Sequence, residues 1–258
     1  MSALERVRQI RSLLDGLEAD LRGEGGRMSP ARFCAEHMPR APRCLPYTRP
    51  SEDGPDVWDV LREADGSGDT ITLLYSGYRV PPGERDAEYA SGWTREHAWP
   101  RSRGGMTTGR PGMGTDAHNL FAADASVNSA RSNKPFADLG GGGSEVVDRS
   151  PAPGHTGRTL ARATASRWEP PDRCKGAVAR AALYMACRYH DRLRLTDDPG
   201  EAEGAPGCFG MLGDLLAWNR RFPPCAWERA RNDAVERAQG NRNPFVDHPG
   251  LADLVRFG

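Results

Sequence analysis

Residues 93–136 hold the chain's most unusual combination of polar side chains and read WTREHAWPRSRGGMTTGRPGMGTDAHNLFAADASVNSARSNKPF. Glu96 and His97 are adjacent in this segment. On extended backbone, neighbouring side chains point to opposite faces, so one of the pair can face a metal while the other faces a water. Asn119 and Asn128 add neutral side chains that can ligate a metal or form hydrogen bonds. The segment therefore combines the groups of a candidate hydrolytic site.

The same segment is basic in an otherwise neutral protein. The 258 residues include 35 Lys and Arg and 35 Asp and Glu. Between residues 95 and 134, six basic side chains outnumber three acidic ones: Arg95, Arg101, Arg103, Arg110, Arg131 and Lys134 against Glu96, Asp116 and Asp124. A local basic surface is enough to attract a phosphate backbone, so zero net charge does not exclude nucleic acid as a partner.

Hydrolysis of a phosphodiester needs a nucleophilic water, a base that takes its proton, and positive charge on the phosphate oxygens. His97, with an ordinary pKa of about 6.5, is suited to act as the base near neutral pH. Mg²⁺ prefers oxygen ligands and fills its other positions with water and phosphate. Glu96 and Asn128 offer one carboxylate and one carboxamide oxygen for a single Mg²⁺, with Mn²⁺ or Ca²⁺ as alternatives at the same site.

Several segments together resemble a known family. They are EHAWP (96–100), DAHNL (116–120), VNSARSN (127–133), AWNRRFPP (217–224) and WERARNDAVERAQGNRNPFVDHP (227–249). Their order and content are similar to the endonuclease I group of nonspecific nucleases, in the His-Me finger (ββα-metal) superfamily. The resemblance covers roughly residues 74 to 250, and the combination is far more specific than any one segment.

The resemblance implies a role for each candidate residue. His97 would be the general base, and Glu96 and Asn128 would ligate the catalytic metal. Arg131 would act on the cleaved phosphate, and Asn119 would position the finger. Arg95, Arg110 and Arg131 are the candidate substrate-binding residues, Arg110 being the candidate for an arginine in the loop between EH and HNL. The substrate would be DNA, with RNA as a further candidate, and the products would carry 5′-phosphate and 3′-hydroxyl ends.

The expected fold class is α+β, with a ββα-metal finger embedded in a mainly helical single domain over residues 71–258. Residues 1–70 are expected to form an N-terminal extension of helix and loops, beginning with an amphipathic helix from residue 4 to 21. A strand is predicted over 70–78, and a short helix over 122–132 that places Asn128 and Arg131 one turn apart on one face. Longer helices are predicted after Pro171, over about 209–221 and over 225–239.

Hydropathy and cysteine content bear on the cellular location of the protein. No run approaches the roughly 18 apolar residues of a membrane-spanning helix. Charged residues interrupt every apolar segment near the N-terminus, so no secretory signal is recognised and an intracellular location is favoured, although members of the resembled family are often secreted. The six cysteines are then expected to stay reduced.

Three alternatives remain open at this stage. One is a catalytically silent nucleic-acid-binding protein that retains the finger. Another is a structural zinc site on Cys34, His37 and Cys44, for which no fourth ligand is evident. Asp116 and Asp124 could indicate a second metal, although one metal is preferred. The distal segment contains three further candidates for contact with the DNA backbone, namely Arg229, Arg231 and Arg242.

Overall fold

The computed structural model describes residues 27–49, 54–83 and 93–257. The helix predicted over residues 4–21 lies outside the described residues. Within them, no helix has both the length and the apolar character needed to cross a membrane.

The described residues form an α+β architecture of helices and short strands. The helices are α1 (Pro30–His37), α2 (Val57–Ala64), α3 (Arg101–Gly104), α4 (Ala125–Arg131), α5 (Asp172–Arg188), α6 (Pro199–Gly204), α7 (Leu212–Arg221), α8 (Ala226–Gln239) and α9 (Pro244–Asp247). The strands are β1 (Gly66–Ser67), β2 (Thr70–Thr72), β3 (Arg79–Val80), β4 (Trp93–His97), β5 (Leu120–Asp124), β6 (Ser144–Val147), β7 (Arg158–Ala163), β8 (Trp168–Glu169), β9 (Arg194–Leu195) and β10 (Cys208–Phe209). Single 3-10 turns are formed by Met113–Thr115, Ala117–Asn119 and Pro249–Leu254.

The sheets are small and mostly antiparallel. Strands β1, β2 and β3 form one three-stranded sheet, and β6, β7 and β8 form another. Strands β9 and β10 pair in parallel. The single strand predicted over 70–78 is wrong beyond Thr72, because the chain turns back at Gly77, which has a φ of +69°, and continues as β3. Glycine adopts that conformation without the steric penalty that a side chain would add.

A strand pair followed by a helix lies at the centre of the molecule. Strand β4 pairs antiparallel with β5, in a register that runs from Trp93 opposite Asp124 to His97 opposite Leu120. Helix α4 follows β5 directly. The predicted helix starts three residues too early, because residues 122–124 complete β5, all of whose residues are buried. The predicted spacing of Asn128 and Arg131 on one helix is confirmed.

Helix α5 is the core of the helical part. Every residue from Cys174 to Cys187 is buried. The reason is that α1, α7, α9 and the 117–119 turn all pack around it. Helix α8 agrees with the sequence-based prediction, and Gly240 ends it with a φ of +85°. Helix α7 begins three residues later than predicted, because Phe209 belongs to β10. This helical body is the support on which the strand pair rests.

Buried ion pairing attaches the strand pair to helix α8. The Arg231 Nε atom lies 2.8 Å from Asp65 Oδ1, and Asp65 Oδ2 accepts from the Ala122 backbone N–H at 2.7 Å. Arg231 also donates to the carbonyls of Ala117 and Leu120. The geometry therefore disfavours the suggested contact of Arg231 with DNA. The residue is 4% exposed, and its guanidinium binds groups in the protein interior.

This ion pair leads to a stability prediction. The Asp65→Ala protein should lose about 3 kcal/mol or more of its free energy of unfolding, because a buried guanidinium and a buried N–H lose their acceptor. Denaturant titration measures the loss. The control is Glu63→Ala, which removes the exposed partner of Arg237 and should cost less than about 1 kcal/mol. Equal losses in the two variants would contradict this account.

Candidate active site

The two faces of strand β4 present different chemistry. Since Glu96 and His97 are consecutive residues of an extended strand, their side chains point to opposite faces. The Glu96 carboxylate contacts Tyr75 and Arg131, whereas the His97 ring contacts Tyr47 and the carbonyl of Gly114. The structure thus confirms that the side chains of Glu96 and His97 point to opposite faces of the strand.

The His97 ring has one nitrogen committed to a backbone carbonyl. Its Nε2 atom lies 2.8 Å from Gly114 O. Because a carbonyl oxygen only accepts, Nε2 must carry the hydrogen, which leaves the lone pair on Nδ1. Burial lowers the pKa of His97 to about 3, against the effect of the Gly114 carbonyl, and the charges of Arg101, Arg95 and Arg131 lower it further. In the substrate-free protein the ring is therefore neutral near pH 7, with its Nδ1 lone pair unprotonated.

Gly114 is placed by close packing against the backbone of residue 107. A Cβ atom at position 114 would lie 2.1 Å from the Thr107 carbonyl oxygen, well inside van der Waals contact. Only glycine fits without a shift of the backbone. The carbonyl that orients His97 thus belongs to a residue whose position cannot change without disturbing the loop.

Two donors converge on one oxygen of the Glu96 carboxylate. The Tyr75 hydroxyl donates to Oε1 at 2.6 Å, and Arg131 Nη1 lies 3.0 Å from the same atom. Burial raises the pKa of Glu96, and the charge of Arg131 is the largest opposing influence. The residue is 2% exposed. The carboxylate is held in one orientation, with its donors gathered at Oε1.

Arg131 is a buried residue rather than a surface one. Its side chain is 1% exposed, with Nη1 donating to His97 O at 2.8 Å and Nη2 donating to Ala98 O at 2.6 Å. Its guanidinium also lies 4.6 Å from the centre of the Phe136 ring. The contact with a cleaved phosphate stays a prediction. In the geometry of the structure, Arg131 fixes the end of β4.

Asn119 and Asn128 lie on either side of the strand end. Asn119 Oδ1 accepts from the Trp99 N–H at 2.7 Å, and its Nδ2 donates to Trp99 O at 3.1 Å, so it holds the turn after β4. Asn128 is partly buried on α4, one turn before Arg131, and its Nδ2 lies 3.5 Å from Arg95 O. Its carboxamide therefore faces the strand that carries Glu96.

The three candidate substrate-binding arginines differ in their exposure to solvent. Arg95 is 7% exposed and lies over the rings of Tyr47 and Trp58, at 3.4 and 4.0 Å from their centres. Arg131 is buried as described. Arg110 is exposed, in the loop between α3 and the 113–115 turn. Among the three, only Arg110 presents its side chain to solvent.

Sequence reasoning missed several residues of this site. Tyr75 and Gly114 are far from Glu96 and His97 in the chain and carried no local signal. Arg101 was counted only as one of the basic residues, yet it is exposed at the start of α3 and its charge acts on the His97 ring. Its position directly after EHAWP was the available signal.

The zinc alternative finds no support in the described residues. No group of three or more His, Cys, Asp or Glu is placed there to hold a metal. Cys34, Cys44 and the other four cysteines, all within the described part of the chain, are free thiols. Burial raises the pKa of Cys44, whose partners are Tyr189 and Thr115. Glu96 and Asn128 stay the predicted metal ligands, and the contact recorded for the Asn128 side chain is that of its Nδ2 with Arg95 O.

Comparison with known proteins identifies a family. The model of the Endonuclease I family matches residues 51–250. An extracellular ribonuclease of Bacillus amyloliquefaciens is 38% identical over 208 residues, which are 77% of this chain and 66% of the relative. An extracellular ribonuclease of Bacillus subtilis (strain 168) is 38% identical over 209 residues, 78% of this chain and 67% of the relative. A periplasmic deoxyribonuclease of Aeromonas hydrophila is 33% identical over 138 residues, 52% of this chain and 48% of the relative.

These comparisons confirm the resemblance and correct the expected location. The chain spans about two thirds of the length of the Bacillus relatives and about half of the Aeromonas one. The intracellular location favoured by the sequence is wrong on this comparison, because these relatives are named extracellular or periplasmic, which points to a secreted protein.

The packing around Gly114 leads to a prediction. Gly114→Ala should lower the rate of the predicted plasmid cleavage by roughly ten- to a hundredfold, because the added methyl displaces the carbonyl that contacts His97, the predicted base, and small misplacements of a catalytic group are costly. Gly109→Ala is the matched control, since its Cβ would meet nothing closer than the Thr107 side chain at 3.6 Å. A Gly114→Ala protein as active as the control would contradict the role of this carbonyl.

Buried His118 makes stability depend on pH. Burial lowers its pKa to about 4, and its Nε2 lies 3.0 Å from Asn241 O. The unfolded chain, with a pKa of about 6.5, binds more protons than the folded protein between these values, so stability is lost as the pH falls through this window. From pH 7 to 5, the loss from this residue should be about 2 kcal/mol.

Denaturant titrations at pH 7 and pH 5 test this. In His118→Gln, which keeps a donor for Asn241, the difference between the two pH values should shrink by about 2 kcal/mol. In the exposed control His190→Gln it should not change. An unchanged pH dependence in His118→Gln would contradict a neutral buried ring.

Proposed function

The chain belongs to the endonuclease I family, and we propose that it is a metal-dependent, largely sequence-nonspecific endonuclease that hydrolyses phosphodiester bonds in DNA, with RNA as a second substrate. The names of its relatives, which include both ribonucleases and deoxyribonucleases, support the breadth of substrate. We also propose that the unit formed by β4, β5 and α4 is a ββα-metal finger of the His-Me type. The order of these elements and the position of His97 at the end of β4 support this assignment.

The observation that carries the proposal is the hydrogen bond between His97 Nε2 and Gly114 O. It fixes a neutral ring with its basic lone pair on Nδ1. In the proposed reaction a water attacks phosphorus while its proton passes to His97 Nδ1, the bond from phosphorus to the 3′ oxygen breaks, and a second solvent water gives a proton to the departing oxygen. The products carry 5′-phosphate and 3′-hydroxyl ends. An anionic phosphate beside the ring favours the imidazolium and so raises the pKa of His97 during the reaction.

The residues present fit a hard divalent cation. Glu96 and Asn128 would hold Mg²⁺, or Mn²⁺ or Ca²⁺ in its place, through a carboxylate and a carboxamide oxygen. Since Tyr75 and Arg131 both engage Oε1, the oxygen offered by Glu96 is Oε2. When bound, the metal supplies positive charge for the phosphate and for the departing 3′ oxygen. The preformed orientation of Glu96 means that little rearrangement is needed on binding.

Arginine would supply further charge on the phosphate. Of the three arginines whose charges act on His97, Arg95 and Arg131 are buried, whereas Arg101 is exposed. Arg101 Nη1 donates to the Thr108 hydroxyl at 3.0 Å, a contact at the surface that substrate can replace. We therefore assign the phosphate contact to Arg101, with Arg110 as an outer contact in the loop, and assign Arg131 to holding Glu96 in place.

Recognition through phosphates predicts little sequence preference and strong weakening by salt. Of the distal arginines, Arg231 is buried, whereas Arg229 is exposed on α8 and stays the candidate for contact with the DNA backbone. Arg242 is engaged by three carboxylates, those of Asp233, Glu236 and Asp247.

Cleavage of supercoiled plasmid DNA and of RNA, with Mg²⁺ or with EDTA, tests the proposal. The wild type should cut both with metal and neither with EDTA. His97→Ala should lose at least about a hundredfold in rate, the scale of a lost general base. His190→Ala, a substitution of an exposed histidine, is the matched control and should cut like the wild type.

The alternative of a silent binding protein has a distinct result. In that case the wild type would be as inactive as His97→Ala with Mg²⁺, while both bound DNA in a salt-dependent way. Cleavage that persists in EDTA would instead contradict the metal requirement.

A further inference from the structure

A carboxylate near the site lies fully buried among uncharged donors. Asp116 is 0% exposed. Its Oδ2 atom accepts from the hydroxyls of Tyr184 and Tyr189, each at 2.8 Å. Its Oδ1 atom accepts from Gln239 Nε2 at 2.8 Å and from the His118 N–H at 3.0 Å. Burial of a carboxylate is costly unless hydrogen bonds compensate it, and these contacts do so.

These donors come from distant parts of the chain. The two tyrosines lie on α5 and directly after it, and Gln239 ends α8. The network continues beyond them, since Asn241 Nδ2 donates to the Tyr184 hydroxyl at 2.8 Å and Gln239 Nε2 lies 2.9 Å from Asn241 Oδ1. Asp116 is therefore a point at which α5 and α8 together hold the 113–119 segment.

The segment that Asp116 holds is the one that orients the base. Gly114, whose carbonyl accepts from His97, is two residues before Asp116. Asn119, which holds the turn after β4 through Trp99, is three residues after it. Gln239 Oε1 also accepts from the Ala117 N–H at 3.0 Å. Anchoring at Asp116 thus fixes both ends of the contact between this segment and β4.

We propose that Asp116, held by Tyr184 and Tyr189, is a positioning residue that sets the orientation and tautomer of His97 through the Gly114 carbonyl. The inference rests on the proposed role of His97 as the base. Asp116 does not touch substrate, and it acts by keeping the Gly114 carbonyl opposite Nε2. Glu96 and Asp116 then have separate roles, Glu96 toward the cation and Asp116 toward the base.

A double-mutant cycle tests this inference. Asp116→Asn keeps the size of the side chain, and Tyr189→Phe removes one donor from a half-buried position, which provides a milder variant if the first does not fold. In the wild-type background, Asp116→Asn should lower kcat about tenfold or more with KM within about twofold, and Tyr189→Phe should lower it about threefold. In the His97→Ala background, neither should change the residual rate more than about twofold, because residues acting through one group are not additive.

An NMR measurement distinguishes a positioning role of Asp116 from a general loss of structure in its variants. With ¹⁵N-labelled histidine, wild-type His97 should show the tautomer protonated on Nε2, and Asp116→Asn should show a mixture. Glu228→Gln, which weakens the buried contact with Arg180 in the helical body, is the matched control and should leave the tautomer and kcat unchanged.

Each outcome points to one conclusion. The inference is overturned if folded Asp116→Asn keeps the wild-type kcat, or if it lowers the rate equally in both backgrounds. An unchanged ¹⁵N spectrum in both network variants overturns it as well. If His97→Ala alone is as active as the wild type, the proposed function fails instead, and the spectrum still reports whether Asp116 orients the ring.

Discussion

The buried guanidinium of Arg131 joins the parts on which the site depends. It reaches from α4 to the carbonyls of His97 and Ala98, and to the carboxylate of Glu96. A guanidinium presents several donors in a rigid plane, which lets one side chain fix both a strand end and a carboxylate. Since removal of one partner leaves buried polar groups unpaired, the arrangement is strongly constrained. The strand that carries both candidate catalytic residues is therefore held in a single position.

The helical body provides the second constraint, and it acts on β5 and on the loop before it. Arg231 and Asp65 hold the start of β5, and Asp116 ties the loop before it to α5 and α8. These attachments hold the 113–119 segment so that the Gly114 carbonyl faces His97. Gly114 has no side chain that would collide with the backbone of residue 107. The proposed base thus combines a histidine on one element with a backbone acceptor on another, and the segment is anchored by residues of the distal part of the chain.

The sequence predicted the local features better than the long-range ones. The helices α5, α7 and α8 follow from apolar periodicity and from Pro171, Pro224 and Gly240 at their ends. The opposition of Glu96 and His97 follows from the two-residue period of a strand. The contacts of Tyr75 with Glu96 and of Asp116 with Tyr184 join residues 21 and 68 positions apart, which no local pattern encodes. The burial of Arg95 and Arg131 could not be predicted either, because arginine usually faces solvent and only the aromatic and carbonyl partners reverse this.

The central claim is that Glu96 and Asn128 hold one cation next to a base fixed by Gly114. A crystal structure of the protein soaked with Mn²⁺, with anomalous scattering recorded, tests it most directly. The expected result is a single strong peak at ligand distance, close to the roughly 2.0–2.1 Å of Mg²⁺–oxygen bonds, from a carboxylate oxygen of Glu96 and from Asn128 Oδ1, with waters completing the coordination. It also predicts that this peak disappears in Glu96→Gln crystals of the same form. A peak bound by other residues, or none at saturating Mn²⁺ in an active protein, would contradict it.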